Sequence, residues 1–222
     1  MGDRDMQTLL SSFSIFKNIP GDELKYVMPE HGAIGFKRHE QLFRENEPAD
    51  CIFCLLDGKA KVTKKDAAHR DTLIRFARPG DVLGLHSIFA DGLHHTTATA
   101  IEDARALRIE RNALIQFGGN HPAFFENILD QLSHEMREKE CRITHIRLRS
   151  AKGRLLETLG MMEHTYGTND RQAINYNFDK EELAGLIHVK TSSLSRILND
   201  LQSRQLIRCT GNEIQILNLD PS

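Results

Sequence analysis

Residues 178–217, FDKEELAGLIHVKTSSLSRILNDLQSRQLIRCTGNEIQIL, read as a helix, a tight turn, a second helix and a short hairpin. Asp179 is a good N-cap, and Glu182 three residues later completes a capping box for a helix over 180–187. Leu183, Leu186 and Ile187 give that helix its buried face, and His188-Val189-Lys190 breaks it. Thr191 is the expected cap of the second helix, whose Leu194, Ile197, Leu198 and Leu201 point inward. Gln205–Arg208 and Glu213–Ile216, joined at Thr210-Gly211-Asn212, make the hairpin. This order is that of a winged helix-turn-helix, which lays its second helix in the major groove of double-stranded DNA.

The inward leucines leave Ser192, Ser193, Ser195, Arg196 and Asn199 mostly outside. Small hydroxyls let the backbone approach closely, and the helix N-terminus attracts phosphate. An Arg there can bind guanine O6 and N7 with two bonds. Arg196 is therefore the expected base contact; the plainer alternative is a solvated i,i+4 pair with Asp200. Lys180 and Lys190 flank the reading helix as expected phosphate contacts, and Thr191 at its start is counted among the expected DNA-binding residues.

The whole chain has 222 residues, enough for one large domain or two small ones. Lys and Arg number 29 against 31 Asp and Glu, and from residue 151 onward the count is 8 against 9. DNA binding must then come from local placement of cations and from dimerisation rather than from bulk charge. No apolar run approaches the ~20 residues that span a bilayer, so no membrane partner is expected. MGDRDMQTLL lacks an apolar export segment, and four scattered cysteines suit a reducing cytoplasm.

Upstream of the reading head, residues 5–28 read as short helices broken at Pro20-Gly21-Asp22. From about 32 to 110, GAIGFKR, QLFREN, CIFCLLDGKAKVTKK, DTLIRFA, TTATAIED and ARALRIER are short strands separated by turn signals, which predicts a β-roll or jelly-roll. His121-Pro122 opens a long helix. Its apolar residues Phe125, Leu129, Leu132, Met136, Ile143 and Ile146 are spaced 4, 3, 4, 7 and 3 apart, with a polar break at Lys139-Glu140. That heptad seam fits a twin helix better than a curved sheet, so a homodimer with Leu129, Leu132, Met136, Ile143 and Ile146 at its interface is expected. A further helix over about 151–165 ends at Tyr166-Gly167-Thr168-Asn169. The expected class is α+β, with a roll over 1–120, a dimerisation helix over 121–150 and the winged module over 151–222.

The chain resembles the CRP/FNR family of bacterial transcription regulators over nearly its whole length. LFRENEPADCIFCLLDGKAKV and RPGDVLGLHSIF are similar to the family's glycine-punctuated β-roll, and ELAGLIHVKTSSLSRILNDLQSRQLI follows its helix-turn-helix pattern. The resemblance implies a cyclic-nucleotide-binding-like sensor roll, a helix pair that transmits the signal and paired reading heads on a palindrome. It also implies RNA polymerase as a partner, mostly for activation. Two departures stand out. Ser192 replaces the Glu usual in the family, which implies a different half-site, and His188 stands where the family has Gly.

Family members that bind cyclic nucleotides carry G-E-x-[AG]-L and then R-[ST]-A in the roll, with Glu on the ribose and Arg on the cyclic phosphate. Here Gly84-Leu85-His86-Ser87-Ile88 and His95-Thr96-Thr97 stand in those places, and Lys139-Glu140 replaces the Thr-Ser of the long helix. The resemblance therefore speaks against cAMP and toward the FNR branch. An N-terminal cysteine group for an iron–sulfur cluster is missing, since the first cysteine is Cys51. Cys51 and Cys54 lie three apart in a strand, which turns them to opposite faces and reads as core thiols. Ordinary loop histidines explain His86, His94 and His95 most simply. Haem is the leading cofactor candidate if Gly84, Leu85, His86, Ser87, His94, His95, Thr96, Lys139 and Glu140 surround a small-molecule effector. Three other readings stay open: a regulator without ligand, a cupin-like metal-dependent enzyme, and a partner-binding module that has lost DNA contact. Adjacent His94 and His95 do not make the spacing a cupin metal site needs, and no catalytic signature is present, so the chain is read as a non-enzyme.

Overall fold

In a computed structural model, strand β3 (Cys51–Asp57) is buried on both faces along most of its length. Cys51, Phe53 and Leu55 point into one apolar core, and Ile52 and Cys54 into another. The period-two alternation of a strand produces this split. Cys51 and Cys54 are thereby core thiols on opposite faces, as the spacing predicts. Burial pushes the Cys51 thiol up to about 12 and raises that of Cys54 as well. The structure describes residues 3–28, 32–67, 69, 71–145 and 150–218, with side chains left aside at 3–6 and 138–145.

The described residues form two compact units, Met1–Ile143 and Thr144–Ser222. In the first, β1 (Ala33–Phe36), β8 (Ala104–Glu110), β3 and β6 (Val82–Leu83) make one antiparallel sheet in the order β1-β8-β3-β6. The other sheet, in the order β2-β7-β4-β5, consists of β2 (Gln41–Phe43), β7 (Thr97–Ala100), β4 (Ala60–Lys65) and β5 (Asp71–Ala77). Between the sheets lie Phe36, Phe43, Phe53, Leu55 and Val62 with a set of small alanines. Two elements differ from the sequence reading: β6 was not expected, and Leu85–Ile88 is a short helix, α2, rather than an open loop.

Helices cover the outer face of β3 and β8. They are α1 (Asp3–Ser11), two 3-10 turns at Ser14–Phe16 and Glu23–Val27, α3 (Arg111–Asn120) and the start of α4 (Pro122–His145). Phe16 stacks on Phe124 at 5.6 Å, and Phe117 meets Phe124 edge-on at 5.4 Å. Pro122 stands at the first turn of α4, where its missing N–H has no partner to lose. The heptad seam is only partly free. Phe125 and Leu132 pack against the chain's own core, whereas Leu129 and Met136 are each 63% exposed. Leu132, one of the expected interface residues, is half-buried against that core together with Phe125, because the first turns of α4 also close the Phe16–Phe117–Phe124 core. The side chains of Lys139, Glu140, Cys141 and Ile143, and Ile146 altogether, lie outside the described residues.

The second unit holds α5 (Ala151–Tyr166), α6 (Lys180–Leu186), α7 (Thr191–Ser203) and the hairpin β9 (Ile207–Thr210) and β10 (Glu213–Ile216). Ser150 caps α5 by accepting from Gly153 N, and Gly167, at φ +69°, ends it. Leu155, Leu159, Leu183, Ile187, Leu194 and Leu201 are among its buried residues. No helix among the described residues is long and apolar enough to cross a membrane.

Candidate nucleic-acid interface and effector pocket

The position of α7 is fixed by its neighbours. Asp179 Oδ1 accepts from the amides of Glu181 and Glu182, which starts α6. Arg154 Nε of α5 donates to the carbonyl of Ile187 at 3.0 Å and so anchors the end of α6. The turn then passes through His188 at φ +54°, a left-handed conformation that costs a side-chain-bearing residue more than glycine. Lys190 holds the N-cap position of α7 and makes no side-chain cap bond. Thr191 is the first helical residue rather than the cap, a correction of one position, because the extended backbone persists through Lys190 at ψ 149°.

Arg196 and Asn199 are exposed on α7, as are Thr191 and Ser192, while Lys190 precedes it and Lys180 opens α6, both exposed. Ser193 and Ser195 are half-buried rather than outside. The Ser195 hydroxyl donates to the carbonyl of Thr191 at 3.1 Å, one turn back on its own helix. Together with Lys180 and Asn199, Ser195 lines a crevice of about 110 Å³ closed on the wing side by Cys209, Gly211 and Asn212. Burial raises the Cys209 thiol. The i,i+4 pair between Arg196 and Asp200 is not formed. Asp200 accepts instead from Lys152 Nζ and Arg204 Nε, both at 2.9 Å.

The wing begins later than the sequence suggests. Gln205 adopts φ +57° and ends the helix, so the first strand starts at Ile207 and reaches Thr210. Thr210 pairs with Glu213, which leaves the two-residue loop Gly211-Asn212 with Gly211 at φ +62°. Such a loop needs positive φ at its first position, which glycine adopts without steric cost.

In the roll, Gly84 sits at φ +83° before α2, where a Cβ would approach His94 Cε1 at 3.2 Å. Both facts favour glycine there. Gly84, Leu85, His86 and Thr96 line a cavity of about 60 Å³ with Phe43, Arg75 and, from α4, Glu135. The three histidines part company. His94 is 2% exposed and stacks on Phe43 at 4.0 Å, which overturns the solvated-loop reading for that residue. Burial lowers its pKa below the ordinary 6.5, with the neighbouring His86 and His95 adding to this against Asp50 and Glu47. His95 points the other way and pairs through Nε2 with Asp91 at 2.9 Å, its ring 6.4 Å from that of His86. Among the described residues, Ser87 Oγ, His94 Nδ1 and Thr96 Oγ1 are buried without a hydrogen-bond partner.

Residues 34–121 match the cyclic nucleotide-binding domain family, and residues 153–221 match the Crp-like helix-turn-helix domain. Over 213 residues, 95% of both chains, the sequence is 25% identical to a CRP-like cAMP-activated global transcriptional regulator of Mycobacterium tuberculosis. It is also 25% identical over 174 residues to the anaerobic regulatory protein of Bacillus subtilis, covering 77% of this chain and 73% of that one. The chain belongs to the CRP/FNR family. Its fold agrees with that of FixK2 from Bradyrhizobium japonicum, with a TM-score of 0.70 at 20% identity over 84% of this chain and 92% of that one.

This CRP/FNR-family protein is a DNA-binding transcription regulator. Several residues of the two candidate sites escaped sequence reasoning. Phe43, Arg75 and Glu135 reach the roll cavity from three elements far apart in sequence, and only a fold brings them together. Gly211 and Asn212 at the wing tip carried a readable turn signal, but nothing local places them beside Asn199. Lys152 lies 48 positions before Asp200, beyond the reach of any periodicity argument.

Proposed function

We propose that this regulator acts as a homodimer on an inverted repeat, each α7 entering the major groove of one half-site. The carrying observation is Arg196, an exposed guanidinium midway along a helix whose placement α5, α6 and the wing determine, with its expected partner Asp200 engaged elsewhere. In this reading Arg196 binds guanine, Ser192 and Asn199 face neighbouring bases, and Lys180, Lys190 and Thr191 hold phosphates. Ser193 and Ser195 act chiefly by being small. Leu129 and Met136, exposed on one stripe of α4, support the dimer. Residues 1–120 then form the sensor, 121–150 the dimerisation helix and 151–222 the DNA-binding domain, working in the cytoplasm with RNA polymerase.

The roll is proposed to sense a signal other than cAMP. Leu85 and His95 replace the groups that hold ribose and phosphate in nucleotide-binding members. A cavity of about 60 Å³ is also far below the ~300–1,000 Å³ typical of ligand pockets. The same volume does not fit a porphyrin, and His94 stacks on Phe43 while His95 holds Asp91, so no haem step is derived. What supports a small polar effector is Thr96, which lines that cavity and whose buried Oγ1 has no hydrogen-bond partner among the described residues, since a buried orphan carries a penalty of about 1–3 kcal/mol that a bonded partner removes. The replaced Leu85 and His95 positions support the reading that the regulator belongs with the FNR branch. Its relatives are regulators rather than enzymes, and no observation favours the cupin-like reading.

Genomic footprinting of the tagged chain tests the proposal. An inverted repeat shared by the bound sites is the expected result, and sites without any inverted motif in every growth state would overturn it.

A further inference from the structure

Asp200 follows Arg196 by one helical turn, the spacing at which an arginine and a carboxylate on one helix face pair. Both oxygens of Asp200 are occupied: Oδ2 by Lys152 Nζ at 2.9 Å and Oδ1 by Arg204 Nε at 2.9 Å. These bonds, that of Lys152 foremost, hold the carboxyl below its usual range. Arg204 belongs to the end of α7 itself, but Lys152 comes from the first turn of α5. Among the described residues the Arg196 side chain has no ion pair.

We propose that Lys152 is a positioning residue for DNA recognition, which keeps Asp200 from capturing Arg196. The ammonium draws the carboxylate toward α5 and cancels its charge on the helix that must lie among phosphates. Without Lys152, Oδ2 is released one turn from the guanidinium, and an Arg196–Asp200 pair forms that must break before a base can be bound. The inference rests on the proposed base contact of Arg196, and its test separates the two.

The full-length chain is measured on a duplex recovered by footprinting and on the same duplex with each half-site base pair changed in turn. Lys152→Met keeps the apolar stem and removes the charge. It is expected to lower the ratio of cognate to changed-site affinity roughly two- to fivefold, the range of a surface ion pair. Adding Asp200→Ala to the same chain restores the ratio, and Lys152→Arg retains it. Thermal unfolding of each variant checks that it is folded, and the folded Lys152→Arg variant keeps the question open to measurement if Lys152→Met is not. If Arg196→Ala abolishes discrimination while Lys152→Met leaves it intact, the positioning role is overturned and the base contact stands. If Asp200→Ala fails to rescue Lys152→Met, Lys152 acts by packing or by holding a phosphate itself. The phosphate role would show as a shallower salt dependence, by about one unit of slope. If Arg196→Ala changes nothing, the base contact fails and the positioning role falls with it.

Discussion

On α7, Arg196 stands in solvent while the carboxylate that could neutralise it is held by Lys152 and Arg204; in the roll, His94 lies against Phe43, and its Nδ1, like the buried hydroxyls of Ser87 and Thr96, has no hydrogen-bond partner among the described residues. One site keeps a charge hydrated and available. The other buries neutral polar atoms and leaves them unanswered. The contrast fits the partners. A hydrated cation attracts a polyanion over a Debye length of about 8–10 Å and is tuned by salt. A buried orphan answers only to something that enters the core, whether a ligand or a proton, and salt barely reaches it. In the proposed reading, exposed charge serves the output of the regulator and buried polarity its input.

The largest effect is expected at the proposed dimer interface on α4. Replacing both Leu129 and Met136 by Glu should give monomers in sedimentation velocity and reduce operator affinity by roughly 100- to 10,000-fold through lost avidity. A dimer that persists would move the interface off α4. Next in size, Phe124→Ala should destabilise the first unit by about 3–5 kcal/mol, since the ring is fully buried between Phe16 and Phe117. Hydrogen exchange should then show protection lost in the roll-side helices and kept in α5–α7. Loss in both units together would show that they do not unfold separately.

Arg196→Ala should remove about 1–3 kcal/mol of base discrimination with the fold intact, measured by competition between half-site variants. Retained discrimination would transfer the reading role to another residue. The smallest effect is a pH slope confined to the roll. Because the folded pKa of His94 is lowered, the unfolded chain takes up the proton first. Stability from this group is complete above the ordinary imidazole value of 6.5 and declines as pH falls below it. The difference between the melting curves of wild type and His94→Leu should be constant above pH 6.5 and shift against the wild type as pH falls below it. Parallel curves would mean that His94 does not feel its burial.

The winged module was legible because its information is local. The Asp179 cap, the leucine spacing on α7 and the Gly211 turn each act over a few residues, and the structure contains all three. Errors there were of one or two positions: Thr191 for Lys190 at the cap, and Gln205 for Ile207 at the first wing strand. The roll was legible only as a class. Its strands pair far along the chain, Cys51 with Glu110 and Phe53 with both Leu83 and Arg108, and two-residue β6 has too little sequence to announce itself. The histidine segment was misread for the same reason. Nothing in GLHHTT says that Phe43 waits to stack on His94 and draw it inward.

The amino-acid sequence alone determined the order of elements, the winged helix-turn-helix and the family, because caps, turns and periodicity express the preferences of residues close together in the chain. Tertiary structure decided which polar groups are free and which are spent. Lys152 reaches Asp200, Phe43 reaches His94, and Phe125 and Leu132 pack in part against the chain's own core. Those outcomes depend on competition between partners far apart in sequence, and only the folded chain brings the competitors within contact.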